Sequence, residues 1–134
     1  MKALLKVTTI ILLTMSSAAY ATSQPQEDPR EMLDATVKTK NVKYTCQSGK
    51  KLTVKYGFNK QNLPTYAEAT LNGKKRFMPV NLYRSDNVST IFGDENNFSV
   101  LGGVITYKNV GSSSVNVQSP ASEILFKSCQ AIKR

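Results

Sequence analysis

The chain has no histidine and no tryptophan among its 134 residues, and only two cysteines. Without histidine the commonest general base is missing, and so is the commonest zinc ligand. Cys46 and Cys129 have no short-spaced partner with which to hold a metal, so no metal and no cofactor are expected. Beyond Met15 no apolar run is long enough to cross a bilayer as a helix. Acidic residues are scarce too, 9 against 18 Lys and Arg.

What is present first is an export signal. Lys2 and Lys6 supply a basic start, Val7 to Met15 a short apolar middle, and Ala19-Tyr20-Ala21 a small-residue end. Residues 1–21 read as a cleavable signal peptide, with the mature chain starting near Thr22. The cleavage point carries no cysteine for a lipid anchor. The expected destination is the periplasm, the outer-membrane surface, or both, as a soluble protein that can still associate with the outer membrane. In that oxidising setting the lone cysteine pair is most economically one disulfide, Cys46–Cys129; two buried free thiols are the alternative. Closing so long a loop is worth roughly 4–5 kcal/mol in the chain-entropy model.

Loss of Lys2 and Lys6 with the signal lowers the formal charge by two from +9. The remaining charge is uneven. Glu27, Asp28, Glu31 and Asp34 make the segment before the first strand acidic, and residues 22–40, with Pro25 and Pro29, read as a flexible leader. From Ala35 onward the acids are only Glu68, Asp86, Asp94, Glu95 and Glu123. A basic surface attracts polyanions of every kind or simply keeps the protein dispersed, and export argues against nucleic acid as the partner.

Residues 41–134 carry the folded domain. Val42, Tyr44 and Cys46 alternate with polar residues, as do Leu52, Val54, Tyr56 and Phe58, the period of half-buried strands. Thr65–Leu71 and Lys74–Val80 flank Asn72-Gly73, a type I′ hairpin signal. Shorter strands are expected at Val88–Phe92, Asn97–Leu101, Val104–Tyr107, Ser114–Gln118 and Glu123–Cys129. The spacing and the lack of a helical period predict an all-β fold: a small closed antiparallel β-barrel of about eight strands. A disulfide then joins its first and last strands.

Catalytic candidates are weak. Ser48 near Lys50 and Lys51, or Ser85 beside Arg84 and Asp86, could form a Ser–Lys pair, but such neighbours arise by chance in a lysine-rich chain. Asp86, Asp94 and Glu95 fit no regular calcium-loop spacing. The expectation is a binding scaffold, not an enzyme.

Four stretches carry a more specific signal: VKYTCQSGKKLTVKYGFNKQ from Val42, TYAEATLNGKKRFMPVNL from Thr65, SDNVSTIFG from Ser85 and ILFKSC from Ile124. Their order and cysteine frame resemble the adhesin complex proteins of Gram-negative bacteria, within the wider set of membrane-bound and periplasmic c-type lysozyme inhibitors. The resemblance implies a disulfide-fastened eight-stranded barrel, inhibition of host c-type lysozyme and a surface role in adhesion. It also implies that a loop around Ser85, Asp86 and Asn87 enters the lysozyme cleft. Leu101 and Gly102 then stand where the wider set carries a supporting lysine segment. For Ser85, a hydroxyl bonded to its own turn is the alternative. Because c-type lysozymes are usually basic, Asp86, Asp94 and Glu95 are candidate contacts to its arginines. The other reading is adhesion to acidic host glycans through Lys50, Lys51, Lys55, Lys74, Lys75 and Arg76, provided the first two hairpins lie side by side. The sequence leaves the oligomeric state open.

Overall fold

Alternation decides the middle of the chain. In β1 (Lys38–Thr45) and β2 (Lys51–Phe58), Val42, Tyr44, Leu52, Val54 and Tyr56 are buried while Asn41, Lys43, Lys51 and Thr53 face out. Branched and aromatic side chains suit a pleated, half-buried surface, and the period of two sends them all to one face. β3 (Pro64–Leu71) and β4 (Lys74–Pro79) meet at Asn72 and Gly73, whose φ values of 51° and 79° give the expected I′ turn. β5 (Thr90–Phe92), β6 (Ser99–Gly102), β7 (Ser114–Gln118) and β8 (Ile124–Ala131) complete the set. This computed structural model describes residues 24–132, so the export signal at 1–21 lies outside the described residues.

All strand neighbours are antiparallel, in the order β4-β3-β2-β1-β8-β7-β6-β5. The eight-stranded barrel and the Cys46–Cys129 bond are both as expected. The barrel nearly closes, and it has two thin joints. Between β1 and β8 only Tyr44↔Ala131 and Thr45↔Gln130 pair. Cys46 and Cys129 occupy the next step of that register, so the disulfide takes over where the ladder stops. Between β4 and β5 there is one bridge, Val80↔Phe92. It is flanked by Asn81 N–H to Ile91 O and Gly93 N–H to Pro79 O, each 2.8 Å.

Inside, Tyr56 packs against Phe92 (centroids 5.6 Å apart) and Phe58 against Tyr107 edge-on (5.4 Å). The buried phenols would be costly unpaired. Tyr44 OH meets Tyr56 OH at 2.7 Å and Ser113 Oγ at 2.6 Å, and Ser113 Oγ donates to Val110 O. Gly57 has a reason in packing: a Cβ there would come within 2.4 Å of the Tyr66 ring, which lies across it from β3.

Three expectations need correction. β1 starts at Lys38 instead of Val42, and residues expected in a flexible leader instead form helix α1 (Pro29–Ala35) before it. Asp28 caps that helix, its Oδ1 accepting from the N–H groups of Arg30 (2.8 Å) and Glu31 (3.4 Å), with Pro29 in the first turn. Helix α1 packs against β3 and β4, with Met32 against the core. Val104–Tyr107 is not a strand. Side chains take the bonds a ladder would have used: Ile105 N–H goes to Thr90 Oγ1, and Asn109 pairs with both Thr106 N–H and Val104 O. The strand expected at Val88–Phe92 is only the three residues of β5, because Asp86 captures the N–H groups of Val88 and Ser89.

Burial raises the ionisation of Tyr44 above the usual phenol value of 10.0, and that of Tyr56 well above it. The folded state therefore holds these protons more tightly than the unfolded chain does. Stability from this source is intact below about pH 10 and is lost as pH rises through the folded-state values. In an alkaline titration, the tyrosinate absorbance that is lost in the Tyr44→Phe and Tyr56→Phe variants should appear only together with loss of β circular dichroism. Ionisation of Tyr44 and Tyr56 in a still-folded chain would contradict this packing.

Candidate functional site

The loop after β4 starts from a buried amide. Asn81 is fully buried, and every polar atom it has is used. Nδ2 donates to Gly93 O (2.8 Å) and Gln24 O (3.0 Å), and Oδ1 accepts from Arg84 N–H (3.0 Å). Its carbonyl accepts from the Ser85 N–H (3.0 Å) and the Ser85 hydroxyl (2.7 Å). One side chain thus closes the β4–β5 joint, ties down the leader and folds back the first turn of the loop.

A second tier lies outside the first. Ser85 Oγ also accepts from Ile91 N–H at 2.9 Å, so the hydroxyl is spent on its own loop, the alternative considered from sequence. Asp86 Oδ1 accepts from Val88 N–H (2.9 Å), Ser89 N–H (2.8 Å) and Ser89 Oγ (2.8 Å). Donation from Val88, then from the Ser89 hydroxyl, holds this exposed carboxyl below the ordinary aspartate range. The lowered value means the brace is intact at neutral pH and weakens only as pH falls through it. What remains facing solvent is Asn87, with Leu82 62%, Tyr83 69% and Val88 74% exposed. These are the three most exposed large apolar side chains among the described residues, and one loop holds them all.

The second sequence segment lies beside the first. Leu101 and Gly102 belong to strand β6 rather than to a loop, paired with Ile91 and Thr90 of β5 and with Asn116 and Val115 of β7. They line an open depression of about 420 Å³ together with Ser89, Ile91, Gly103 and Asn116. A Cβ on Gly103 would lie 3.9 Å from Val88 O, so the loop borders this depression at Gly103. Asp94 and Glu95 do not join it. They sit past the far end of β5, where Asp94 Oδ2 accepts from Gln26 N–H of the leader (3.3 Å).

The expected basic patch divides. The two first hairpins are side by side, since β2 pairs with β3, and Lys51, Lys55 and Lys75 share the outer face. Lys50 instead donates to Leu125 O (2.8 Å) and lies over Phe126, and Arg76 donates to Leu71 O (3.1 Å) over the Phe98 ring. Lys74 stands opposite Leu71 at the hairpin mouth. Sequence reasoning missed Asn81, Tyr83 and Val88. A lone Asn between Val80 and Leu82 was the available sign of a buried polar hub. No cluster of three or more Cys, Asp or Glu side chains arranged for a metal occurs among the described residues.

The ACP-like domain model (Nm-ACP) matches residues 40–131. The chain belongs to the ACP-like domain family. Among solved structures, the adhesin complex protein from Neisseria meningitidis is 45% identical, with a TM-score of 0.66 over 69% of this chain and 99% of that one. No curated protein matches. In this ACP-like chain the matched range starts after α1 and residues 24–28, so the leader bonds to Asn81 and Asp94 are made from outside it. No helix among the described residues is long and apolar enough to cross a membrane.

Asn81→Ala should cost about 2–3 kcal/mol in chemical denaturation, because Gly93 O loses its donor in a buried joint. Asn81→Asp, which keeps an acceptor for Arg84 but loses both donations, should cost a similar amount. A loss below about 0.5 kcal/mol for both would show that the joint does not need the amide.

Proposed function

We propose that this chain is an exported, surface-acting protein of adhesin type that also inhibits c-type lysozyme, by seating the turn at 82–88 in the enzyme's cleft. The adhesin part is supported by the 45% identity to the adhesin complex protein of Neisseria meningitidis. The observation that carries the inhibitory part is a loop braced from inside by Asn81, Ser85 and Asp86, with Tyr83, Asn87 and Val88 left exposed. Such a loop loses little conformational freedom on binding, which removes one of the main costs of association.

The chemistry of the target sets the rest. A glycosidase of this type works with two carboxyl groups, one a proton donor and one ionised. A plug must meet them with hydrogen-bond donors and keep substrate out. The Ser85 hydroxyl is already committed, so the Asn87 amide and main-chain N–H groups near the tip are the donors for that role. Bonds of this kind to a charged group contribute roughly 1.5–3 kcal/mol each. Tyr83 and Val88 add apolar contact, and Leu101 makes the neighbouring contribution apolar instead of cationic. Basic protein meeting basic enzyme slows encounter, so affinity rests on local fit.

The test is a titration of the mature protein against c-type lysozyme digesting bacterial cell walls. Wild type should suppress lysis near equimolar ratio. Tyr83→Ala combined with Val88→Ala should weaken inhibition at least tenfold, the scale of an interface hot spot. Ser85→Ala should act mainly through stability, by about 1 kcal/mol. Undiminished lysis in a large molar excess of folded protein would end the reading, as would full inhibition by the double variant.

A further inference from the structure

The outer face of β1 to β4 differs from the rest of the surface. Register places Lys43 opposite Thr53 and Thr70 opposite Lys75, and the β2–β3 pairing sets these two couples in one row. The adjoining row runs from Asn41 through Lys55 to Glu68. Between the rows is a shallow groove of about 250 Å³ lined by Asn41, Thr53, Lys55, Glu68, Thr70 and Lys75. Lys43 was outside the patch expected from sequence; Lys50 and Arg76, which were inside it, spend their charges on carbonyls and rings.

The geometry points to this groove as a docking site for a linear sulfated polysaccharide of the glycosaminoglycan class. Spacing is the first argument. With strands about 4.8 Å apart and about 3.4 Å per residue along them, the stems of Lys43, Lys55 and Lys75 stand roughly 8 to 14 Å from one another. One small anion cannot touch all three, whereas a chain with charges repeating along its length can. Lining is the second. Two threonine hydroxyls and an asparagine amide lie between the ammonium groups, which suits the hydroxyls of a sugar chain.

What the face omits excludes other polyanions. None of the exposed large apolar side chains comes from β2, β3 or β4, so the face has no wedge to enter a lipid surface. Its one half-exposed ring, Phe77, stacks on Tyr66 with centroids 4.5 Å apart, which leaves no run of free rings on which successive bases could stack, as single-stranded nucleic acid requires. The only carboxylate is Glu68, directly opposite Lys55, which spaces the cations without neutralising the patch. The groove lies on a different part of the barrel from the loop at 82–88, so the inference does not depend on the inhibitory reading.

The experiment measures binding of a size-defined heparin oligosaccharide to the folded mature protein by calorimetry across a salt series. Lys55→Gln with Lys75→Gln is set against Lys60→Gln with Lys108→Gln, an equal charge loss at turns outside the groove. The groove pair should lose about tenfold or more near physiological salt, with a shallower salt dependence, while the control pair loses less than about threefold. All four lysines are at the surface, and an unchanged melting temperature confirms folding. Equal losses in the two pairs would overturn the site, leaving only net charge. Equal binding of the desulfated oligosaccharide would overturn the ligand class. Anionic vesicles bound more tightly than the oligosaccharide would overturn it in favour of lipid.

Discussion

One buried amide joins the two things this molecule has to do. A sheet of eight strands leaves two edges open unless they meet, and here they meet at a single bridge, Val80↔Phe92. Asn81 follows that bridge directly and donates across it to Gly93. The same side chain accepts from Arg84 and its carbonyl receives Ser85, so the loop that leaves the barrel is fixed by the group that closes it. An unpaired carbonyl at such a joint would cost more than a surface bond returns, which makes the joint close to all-or-none. The opposite joint has a covalent answer to the same problem, with Cys46–Cys129 carrying on a ladder of two residue pairs.

The inside of the barrel is uniform, and function is distributed on the outside. Its interior holds branched and aromatic side chains plus a satisfied Tyr44–Tyr56–Ser113 hydroxyl chain. Outside, β1 to β4 present lysines among threonines, and the far edge presents an apolar-tipped loop beside the depression at Leu101. The two proposed surfaces therefore lie on different parts of one body, and occupation of one would leave the other open. The leader reaches both sides: residues 24–28 bond to Val80, Asn81 and Asp94 near the loop, while α1 packs on β3 and β4.

Much of the barrel was legible because period-two alternation and turn chemistry agree locally. Val42 to Phe58 and the Asn72-Gly73 hairpin could be read directly, and the cysteine frame gave the closure. The failures came where side chains compete with the backbone ladder. Asn109 and Thr90 dissolve an apparent strand at Val104–Tyr107, and Asp86 shortens β5. Helix α1 had a legible start in Asp28-Pro29 that the prolines and mixed charge of the leader concealed. At the loop, sequence singled out Ser85 for its hydroxyl and passed over Asn81, because a buried hub and a solvated turn residue look alike in one dimension. Which basic side chains are committed to carbonyls and rings is likewise a tertiary fact, and it replaced Lys50 and Arg76 with Lys43.

The most direct measurement is native-state hydrogen exchange at the β4–β5 joint. If Asn81 holds the barrel closed, the amides of Asn81 and Gly93 will exchange with free energies close to those of Val54 and Tyr56, in the global unfolding unit. Exchange of the joint amides at the rate of a turn amide such as Asn96, while Val54 and Tyr56 remain protected, would mean the barrel opens there in the native state and the loop is not braced by closure.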